Sequence, residues 1–212
     1  MSQRTSRLYN FVNHPIVYMI FQKLMSGTSF RKKIIKHNIK NKRARVLDIG
    51  CGPAEILNYI PKTEYYGFDI DKRSIKYAKS KFIGKNYHFF CKRFVNKDLK
   101  RIPKVDYVVL FGILHHLKDN EVRNILRLCK KIMKKNAKLI TEDPILLSKQ
   151  NPIAKFIITR DRGLNVRTKS QYLELVKAYF KKINSKITHQ YFIPYTWFSM
   201  ACRKWRNFLL QI

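Results

Sequence analysis

The 212-residue chain carries 45 Lys+Arg against 13 Asp+Glu, a formal net charge of +32. Its apolar fraction of 45% is enough for a folded core and excludes a disordered chain. No apolar run approaches the roughly 18 residues that a membrane span needs, and the apolar patch Ile16–Phe21 is too short for a signal peptide. We therefore predict one globular domain in the cytoplasm.

The net charge has two interpretations. A value of +32 is far above the roughly 2–8 of an ordinary small domain, which favours a polyanion partner, either RNA or an anionic membrane surface. The basic residues are spread over the whole chain, which favours a general bias towards lysine instead. Charge alone leaves both open.

The cysteines argue against a disulfide framework and against a metal site. Cys51, Cys91, Cys129 and Cys202 are scattered, and no C-x-x-C pair occurs. Scattered thiols indicate a reducing compartment. We expect no bound metal.

From Arg45 onwards, predicted strands and helices alternate, after a helical cap over residues 1–43 whose second, basic helix is Phe30–Ile39. Alternation predicts a doubly wound, Rossmann-like α/β fold, with a mostly parallel sheet and helices on both faces. The next predicted elements are strand Val46–Ile49, helix Ala54–Tyr59, strand Tyr65–Phe68, helix Ser74–Phe82, strand Tyr87–Phe90, strand Tyr107–Phe111, helix Glu121–Met133 and strand Ala137–Thr141.

The alternation ends at Pro144. For residues 144–168 we predict a loop or short helix, and after it a helix over Ser170–Phe180 with Ser170 as its N-cap. We predict that the two final strands, Lys186–Phe192 and Thr196–Arg203, form an antiparallel hairpin. Within 1–212 we therefore distinguish the cap, a cofactor-binding core at 44–143 and a substrate side at 144–212.

The stretch Val46–Ala54 predicts a buried strand, a glycine turn and the start of a helix. Gly50 and Gly52 can adopt positive φ and leave room for a ligand. Glu55 stands where a dinucleotide fingerprint has its third glycine, and no Gly-Lys pair follows as in a P-loop. The remaining pattern, with Asp48 at the strand end, suits a cofactor without phosphates that carries an ammonium group.

Acidic residues concentrate at the carboxyl ends of the predicted strands, although only 13 are present. Open α/β sheets bind ligands at this edge. The clustering favours a cationic or hydroxyl-rich ligand. The residues concerned are Asp48, Asp69, Asp71, Glu142 and Asp143.

Three segments in order carry a family resemblance. They are the glycine loop Val46–Pro53, the acidic end of the second strand Tyr66–Asp71, and the fourth strand with its following loop, Val105–Leu117. Together they resemble class I S-adenosylmethionine-dependent methyltransferases over about Val46–Pro144. The resemblance implies S-adenosylmethionine as cofactor and methyl transfer as activity. The N-terminal cap and four later segments resemble small bacterial methyltransferases that are often found with polysaccharide or lipid pathways; the segments are Asn151–Phe156, Arg160–Gly163, Val166–Thr168 and Ile193–Thr196.

The resemblance also implies which positions contact the cofactor. Gly50 and Gly52 would approach its methionine part, with Asp48 orienting the amino group. Asp69 would accept both ribose hydroxyls, because a carboxylate accepts two hydrogen bonds at once. The full set of implied cofactor-binding residues is Asp48, Gly50, Cys51, Gly52, Asp69, Ile70, Arg93, Phe94, Phe111, Gly112 and Ile113.

One position departs from the family. Such enzymes usually hold the adenine amino group with an acid after the third strand, where this chain has Arg93. We expect adenine to be held by backbone groups and by stacking on Arg93 or Phe94. Weak cofactor binding is the alternative.

His115 and His116 follow the fourth strand, beside the expected methyl-transfer centre. Either could act as a general base, because imidazole titrates near neutral pH. The alternative is that they cap a turn and contact the edge of the cofactor. Methyl transfer mainly needs positioning, and a base only when the acceptor carries a proton.

Several features bear on the acceptor. The segment Phe111–Leu114 replaces the Asn/Asp-Pro-Pro-aromatic box of base-amino methyltransferases, which disfavours nucleic-acid base amines. Arg160, Arg162 and Arg167 could clamp a phosphate or carboxylate, or form a loop that Asp161 ties down.

The C-terminal segment mixes aromatic and basic residues. This composition would suit peripheral contact with the inner face of the membrane, or core packing of the last strand. The residues are Trp197, Phe198, Trp205, Phe208 and Leu209 with Arg203, Lys204 and Arg206.

The predicted function is methyl transfer to a small-molecule, saccharide or lipid-linked acceptor. An RNA methyltransferase and a non-catalytic binding protein on the same scaffold are the alternatives. The sequence does not fix the oligomeric state.

Overall fold

The computed structural model describes residues 28–159, 163–189 and 196–204. The strands are β1 (Arg45–Ile49), β2 (Glu64–Asp69), β3 (Tyr87–Cys91), β4 (Val105–Phe111), β5 (Met133–Leu146), β6 (Arg167–Thr168), β7 (Lys182–His189) and β8 (Thr196–Arg203). The described α-helices are α1 (Thr28–Asn38), α2 (Lys72–Lys81), α3 (Asp119–Ile132), α4 (Pro152–Thr159) and α5 (Lys169–Lys177). Turns of 3₁₀ helix lie at Glu55–Asn58, Asn96–Lys100 and Leu114–His116.

The strands form one sheet in the order β3-β2-β1-β4-β5-β8-β7, with β6 paired to the end of β5. Strands β1 to β5 pair in parallel. Strand β8 runs antiparallel to both β5 and β7. The predicted doubly wound, mostly parallel sheet with an antiparallel C-terminal strand is confirmed.

Both faces of the sheet are covered, as the apolar strands require. Successive residues of β1 point to opposite faces: Val46 packs in a cluster with Ile35 of α1, and Leu47 packs in a second cluster with Leu126 of α3. The predicted apolar side of α3 is confirmed, because all six of its members are buried. They are Val122, Ile125, Leu126, Leu128, Cys129 and Ile132.

Two helices begin earlier than their apolar pattern indicates, because a side chain caps them upstream. Asp71 caps α2, where its carboxylate accepts the backbone N–H groups of Arg73 and Ser74 at 3.2 and 3.1 Å. The N-cap of α5 is Thr168 and not Ser170: its hydroxyl accepts the backbone N–H of Gln171 at 3.4 Å, and its own backbone N–H donates to Gln171 Oε1 at 2.9 Å. The start of α2 and the N-cap of α5 were each predicted two residues too late.

Other boundaries also differ from the prediction. The segment after the glycine turn is a 3₁₀ turn and not the start of an α-helix, and Ala54 before it lies in the left-handed region at φ 58°. Strand β5 is longer at both ends than Ala137–Thr141. At its start Met133 pairs with β4, and towards its end β8 pairs with it as far as Pro144, after which β6 pairs with Ile145 and Leu146. Strand β7 starts at Lys182, and residues 190–192 of the predicted strand lie outside the described part.

The aromatic residues of β8 belong to the core. Trp197 is 6% exposed and Phe198 is 1% exposed, which contradicts a role for these two rings at a membrane surface. Trp205, Arg206, Phe208 and Leu209 lie outside the described residues. Within those residues, we find no helix of the length and apolar character that a membrane crossing requires.

We predict that Asp71→Ala lowers the free energy of unfolding by about 1 kcal/mol, because α2 loses the side chain that caps its first turn. Asp71→Asn is the matched control and should cost clearly less, since asparagine also caps helices. Urea denaturation of the three proteins checks this. Equal stability of the wild type and Asp71→Ala would contradict the capping role.

Candidate active site

The glycine turn after β1 is held against the end of β2. The backbone N–H of Gly50 donates to the Phe68 carbonyl oxygen at 2.7 Å, and the N–H of Gly52 donates to Asp69 Oδ2 at 2.8 Å. Gly50 and Gly52 have φ of 75° and 52°, which only glycine adopts without strain. A Cβ on Gly50 would collide with the Ile113 side chain. The structure thus brings the glycine loop, Asp69 and the loop after β4 together.

Asp48 lies buried near this loop, with 3% of the residue exposed. The hydroxyl of Tyr65 donates to Asp48 Oδ2 at 2.7 Å. Burial raises the pKa of Asp48 to about 7, and the negative charge of Asp69 adds to this. The Tyr65 hydrogen bond and the positive charge of Arg31 oppose the shift. Asp48 therefore titrates near neutral pH.

Asp69 forms part of an open edge at the ends of β2 and β3. Each of its carboxylate oxygens accepts one backbone N–H, Oδ2 from Gly52 and Oδ1 from Asp71, both at 2.8 Å. Ile70 beside it is 51% exposed. Cys91, the register partner of Asp69 in β3, is exposed, and Cys51 is buried. An apolar side chain and a fixed carboxylate therefore lie side by side.

The structure separates Arg93 and Phe94, the two residues predicted to stack on adenine. Phe94 is 4% exposed and packs edge-on against Phe68 with ring centroids 5.1 Å apart. It belongs to the core, which contradicts the predicted stacking. The side chain of Arg93 is 55% exposed, and its Nη1 lies 3.8 Å from Glu121 Oε1 at the start of α3. Val95, which was not predicted, is the exposed apolar residue of this loop.

His115 is 5% exposed and forms a buried pair with Asp143 of β5. Its Nδ1 lies 2.8 Å from Asp143 Oδ1, and its backbone N–H donates to the same oxygen at 3.1 Å. The His116 ring lies beside it, with centroids 4.1 Å apart. Burial raises the pKa of Asp143, and the His115 hydrogen bond opposes this. A Cβ on Gly163 would collide with the His115 ring, so that position packs closely over it.

A second buried ion pair lies on the neighbouring residue of β5. Arg31 of α1 donates from Nε to Glu142 Oε1 at 3.0 Å, and Glu142 is 0% exposed. The Arg31 guanidinium lies 5.5 Å from the Phe111 ring centroid and 5.6 Å from that of Trp197. Burial raises the pKa of Glu142, and the Arg31 charge opposes the shift. Arg31 is not among the predicted site residues.

Arg167 supports the turn that carries His115. It is 5% exposed and donates to the carbonyl oxygens of Leu114, Leu117 and Asn165 at 2.8, 2.7 and 3.0 Å. It also forms an ion pair with Asp119 at 2.6 Å. These bonds contradict the predicted acceptor clamp for Arg167, because its donors are already engaged.

Of the other predicted site residues, Arg160 and Arg162 lie outside the described residues, as does Asp161. Gly112 donates its backbone N–H to the Glu142 carbonyl oxygen at 2.7 Å and has φ of 67°. Across residues 28–159, 163–189 and 196–204, no three His, Cys, Asp or Glu side chains are grouped to hold a metal ion.

Residues 47–139 match a family model described as a methyltransferase domain. A comparison with curated proteins gave no match.

Solved structures of methyltransferases resemble the fold. Human N-acetylserotonin methyltransferase in complex with S-adenosylmethionine has a TM-score of 0.64 at 17% identity, covering 88% of this chain and 55% of that one. An S-adenosylmethionine-dependent methyltransferase from Archaeoglobus fulgidus gives 0.64 at 18%, covering 88% and 99%. The mitomycin 7-O-methyltransferase MmcR gives 0.60 at 16%, covering 94% and 61%.

The chain therefore spans about three fifths of the length of two of these proteins. At these identities the likeness shows the fold. Residues 47–139 thus match the model of a methyltransferase domain, and the fold is similar to that of S-adenosylmethionine-dependent methyltransferases. These matches support S-adenosylmethionine as the cofactor.

The raised pKa of Asp48 predicts a pH dependence of stability. Between the ordinary value of 3.8 and about 7, the folded protein binds more protons than the unfolded chain, so the free energy of unfolding falls as pH rises through this window. Asp48→Asn cannot ionise and retains an acceptor for Tyr65. The wild type should lose about 2–3 kcal/mol more than Asp48→Asn between pH 5 and pH 8 in urea denaturation. Parallel pH profiles of the two proteins would contradict the shift.

Proposed function

We propose that this chain is an S-adenosylmethionine-dependent methyltransferase whose acceptor is a small molecule, a saccharide or a lipid-linked molecule. The observation that carries the proposal is the junction of the glycine loop with Asp69 at the carboxyl edge of β1 and β2. The names of two structural neighbours, N-acetylserotonin methyltransferase and mitomycin 7-O-methyltransferase, denote small-molecule acceptors and support this class.

Asp69 suits the cofactor ribose. A carboxylate has about four lone-pair sites, and the two backbone donors of Gly52 and Asp71 occupy one on each oxygen. Each oxygen can therefore accept one further hydrogen bond, as two neighbouring hydroxyls require. The exposed Ile70 beside Asp69 offers apolar surface to a flat base. These contacts would bind the adenosine part without help from Phe94.

Asp48 suits the amino group of the methionine part. An ammonium near Asp48 would stabilise its charged form and lower the raised pKa. Gly52 leaves open space at the glycine loop, because a Cβ there would meet no atom within 4 Å. Bound cofactor would supply the methyl group that is transferred. The role of the chain is to hold it in line with the acceptor.

His115 suits the role of general base for a hydroxyl acceptor. With Asp143 accepting the Nδ1 proton, the neutral imidazole has Nε2 as its acceptor atom. Asp143 would also stabilise the imidazolium after His115 takes the acceptor proton. The alternative is that the pair only shapes the turn Leu114–His116. His116 would then serve as a neighbouring ring contact.

Calorimetry tests cofactor binding. We expect the wild type to bind S-adenosylmethionine and Asp69→Ala to bind it at least ten- to a hundredfold more weakly, because two charged hydrogen bonds are lost. Glu174→Ala, which removes an exposed carboxylate on α5, is the matched control and should bind like the wild type. If the wild type does not bind the cofactor at millimolar concentration, the proposed methyltransferase activity is contradicted and a non-catalytic binding protein is favoured.

Methyl transfer from tritiated cofactor to extract fractions of lipid, saccharide precursor, small molecules and RNA tests the acceptor class. With the active fraction as substrate, His115→Gln should lower kcat about 10²- to 10⁴-fold and remove the rise of rate with pH that a general base produces. Cofactor affinity should stay unchanged. A variant that keeps the pH profile and loses cofactor affinity would assign His115 a structural role instead.

A further inference from the structure

Arg31 extends from α1 over the ends of three neighbouring strands. Its guanidinium pairs with Glu142 of β5 and lies 5.5 Å from the ring centroid of Phe111 in β4 and 5.6 Å from that of Trp197 in β8. In the sheet order β1-β4-β5-β8, strands β5 and β8 lie on the side of β4 away from β1, the strand that leads into the glycine loop. An acceptor that approaches from this side would not overlap the adenosine part, which the proposed function assigns to Asp69.

Among the described residues, the guanidinium forms only part of the hydrogen bonds that it can make. Its Nε donates to Glu142, and its two terminal nitrogens have no hydrogen-bond partner in the part of the chain that the structure describes. The Arg31 side chain is 25% exposed, so a ligand can reach it. Nη2 lies 3.6 Å from the position that a Cβ would occupy on Gly112. The unused donors therefore face the loop after β4.

The buried carboxylate of Glu142 holds the Arg31 guanidinium in position, although its own burial costs free energy. It is 0% exposed, and its Oε2 has no partner among the described residues. A buried carboxylate needs a positive partner, which holds Arg31 in place through Nε. Contact with two aromatic rings further limits the motion of the guanidinium. The result is a fixed cation whose Nη2 lies beside Gly112.

Resting on the proposed function, we propose that Arg31 binds a carboxylate of the methyl acceptor, so that the enzyme selects small acids. The terminal nitrogens of arginine match the two oxygens of a carboxylate. The adjacent Glu142 disfavours a dianion such as phosphate. The net charge of +32 draws anions towards the site in general, and Arg31 determines where they bind.

The test uses benzoate with benzamide and phenylacetate with phenylacetamide, titrated by calorimetry with and without S-adenosylhomocysteine. The wild type should bind at least one acid ten times more tightly than its amide. Arg31→Gln should abolish this preference. Arg123→Gln removes the same charge from the exposed face of α3 and should keep it.

Arg31→Gln leaves Glu142 buried without its cation and risks poor folding. The double variant Arg31→Gln/Glu142→Gln removes both charges, and it should fold and still lack the preference for acids. Equal affinity for acid and amide in the wild type, or a preference that survives in the double variant, would overturn the proposal.

A further outcome would reassign the residue. If Arg31→Gln loses affinity for S-adenosylhomocysteine tenfold and keeps the preference for acids, Arg31 binds the methionine carboxylate, and the proposal is overturned. Failure of the wild type to bind S-adenosylhomocysteine would count against the proposed function alone, because the titrations without it still report on Arg31.

Discussion

Parallel pairing of β1 with β2 on one side and β4 on the other is the constraint on which the site depends. It directs the turns after these strands to one edge of the sheet. The register places the N–H of Gly52 on the Asp69 carboxylate and brings Ile113 over Gly50. Because the two faces of the sheet pack in different apolar clusters, a one-residue register shift would exchange the side chains of the two clusters. The apolar core therefore fixes the geometry of the polar edge.

Three buried acids at this edge each have one partner of a different kind. Asp48 accepts from Tyr65, Glu142 pairs with Arg31, and Asp143 accepts from His115. Burial raises the pKa of all three carboxyl groups. Perturbed pKa values gathered at one edge are typical of functional sites. Burying these three carboxyl groups costs free energy, and packing of the apolar core does not require them.

The sheet and the glycine loop could be predicted because both follow local rules. Alternating strands and helices determine a parallel sheet, and positive φ at Gly50 and Gly52 follows from residue type. Arg31 could not be found in this way. It lies in a helix with Lys32 and Lys33 beside it, and its partner is 111 residues away.

The same reason explains the errors. Arg167 has the composition of an anion clamp, and only its contacts with Asp119 and the turn at Leu114 show that its donors are used internally. Phe94 was assigned to adenine by its position after β3, and its burial against Phe68 depends on packing that no local pattern encodes. The start of α2 depends on Asp71, which caps the helix and is also the last residue of the acidic segment Tyr66–Asp71. The motif explains this acid without a helix cap, so the cap was not predicted.

The central claim is that S-adenosylmethionine binds at the glycine loop and Asp69. A crystal structure with S-adenosylhomocysteine tests it most directly. We predict both ribose hydroxyls within hydrogen-bond distance of Asp69, and the methionine part at Gly50 and Gly52. A cofactor bound elsewhere, or a ribose without contact to Asp69, would contradict the account.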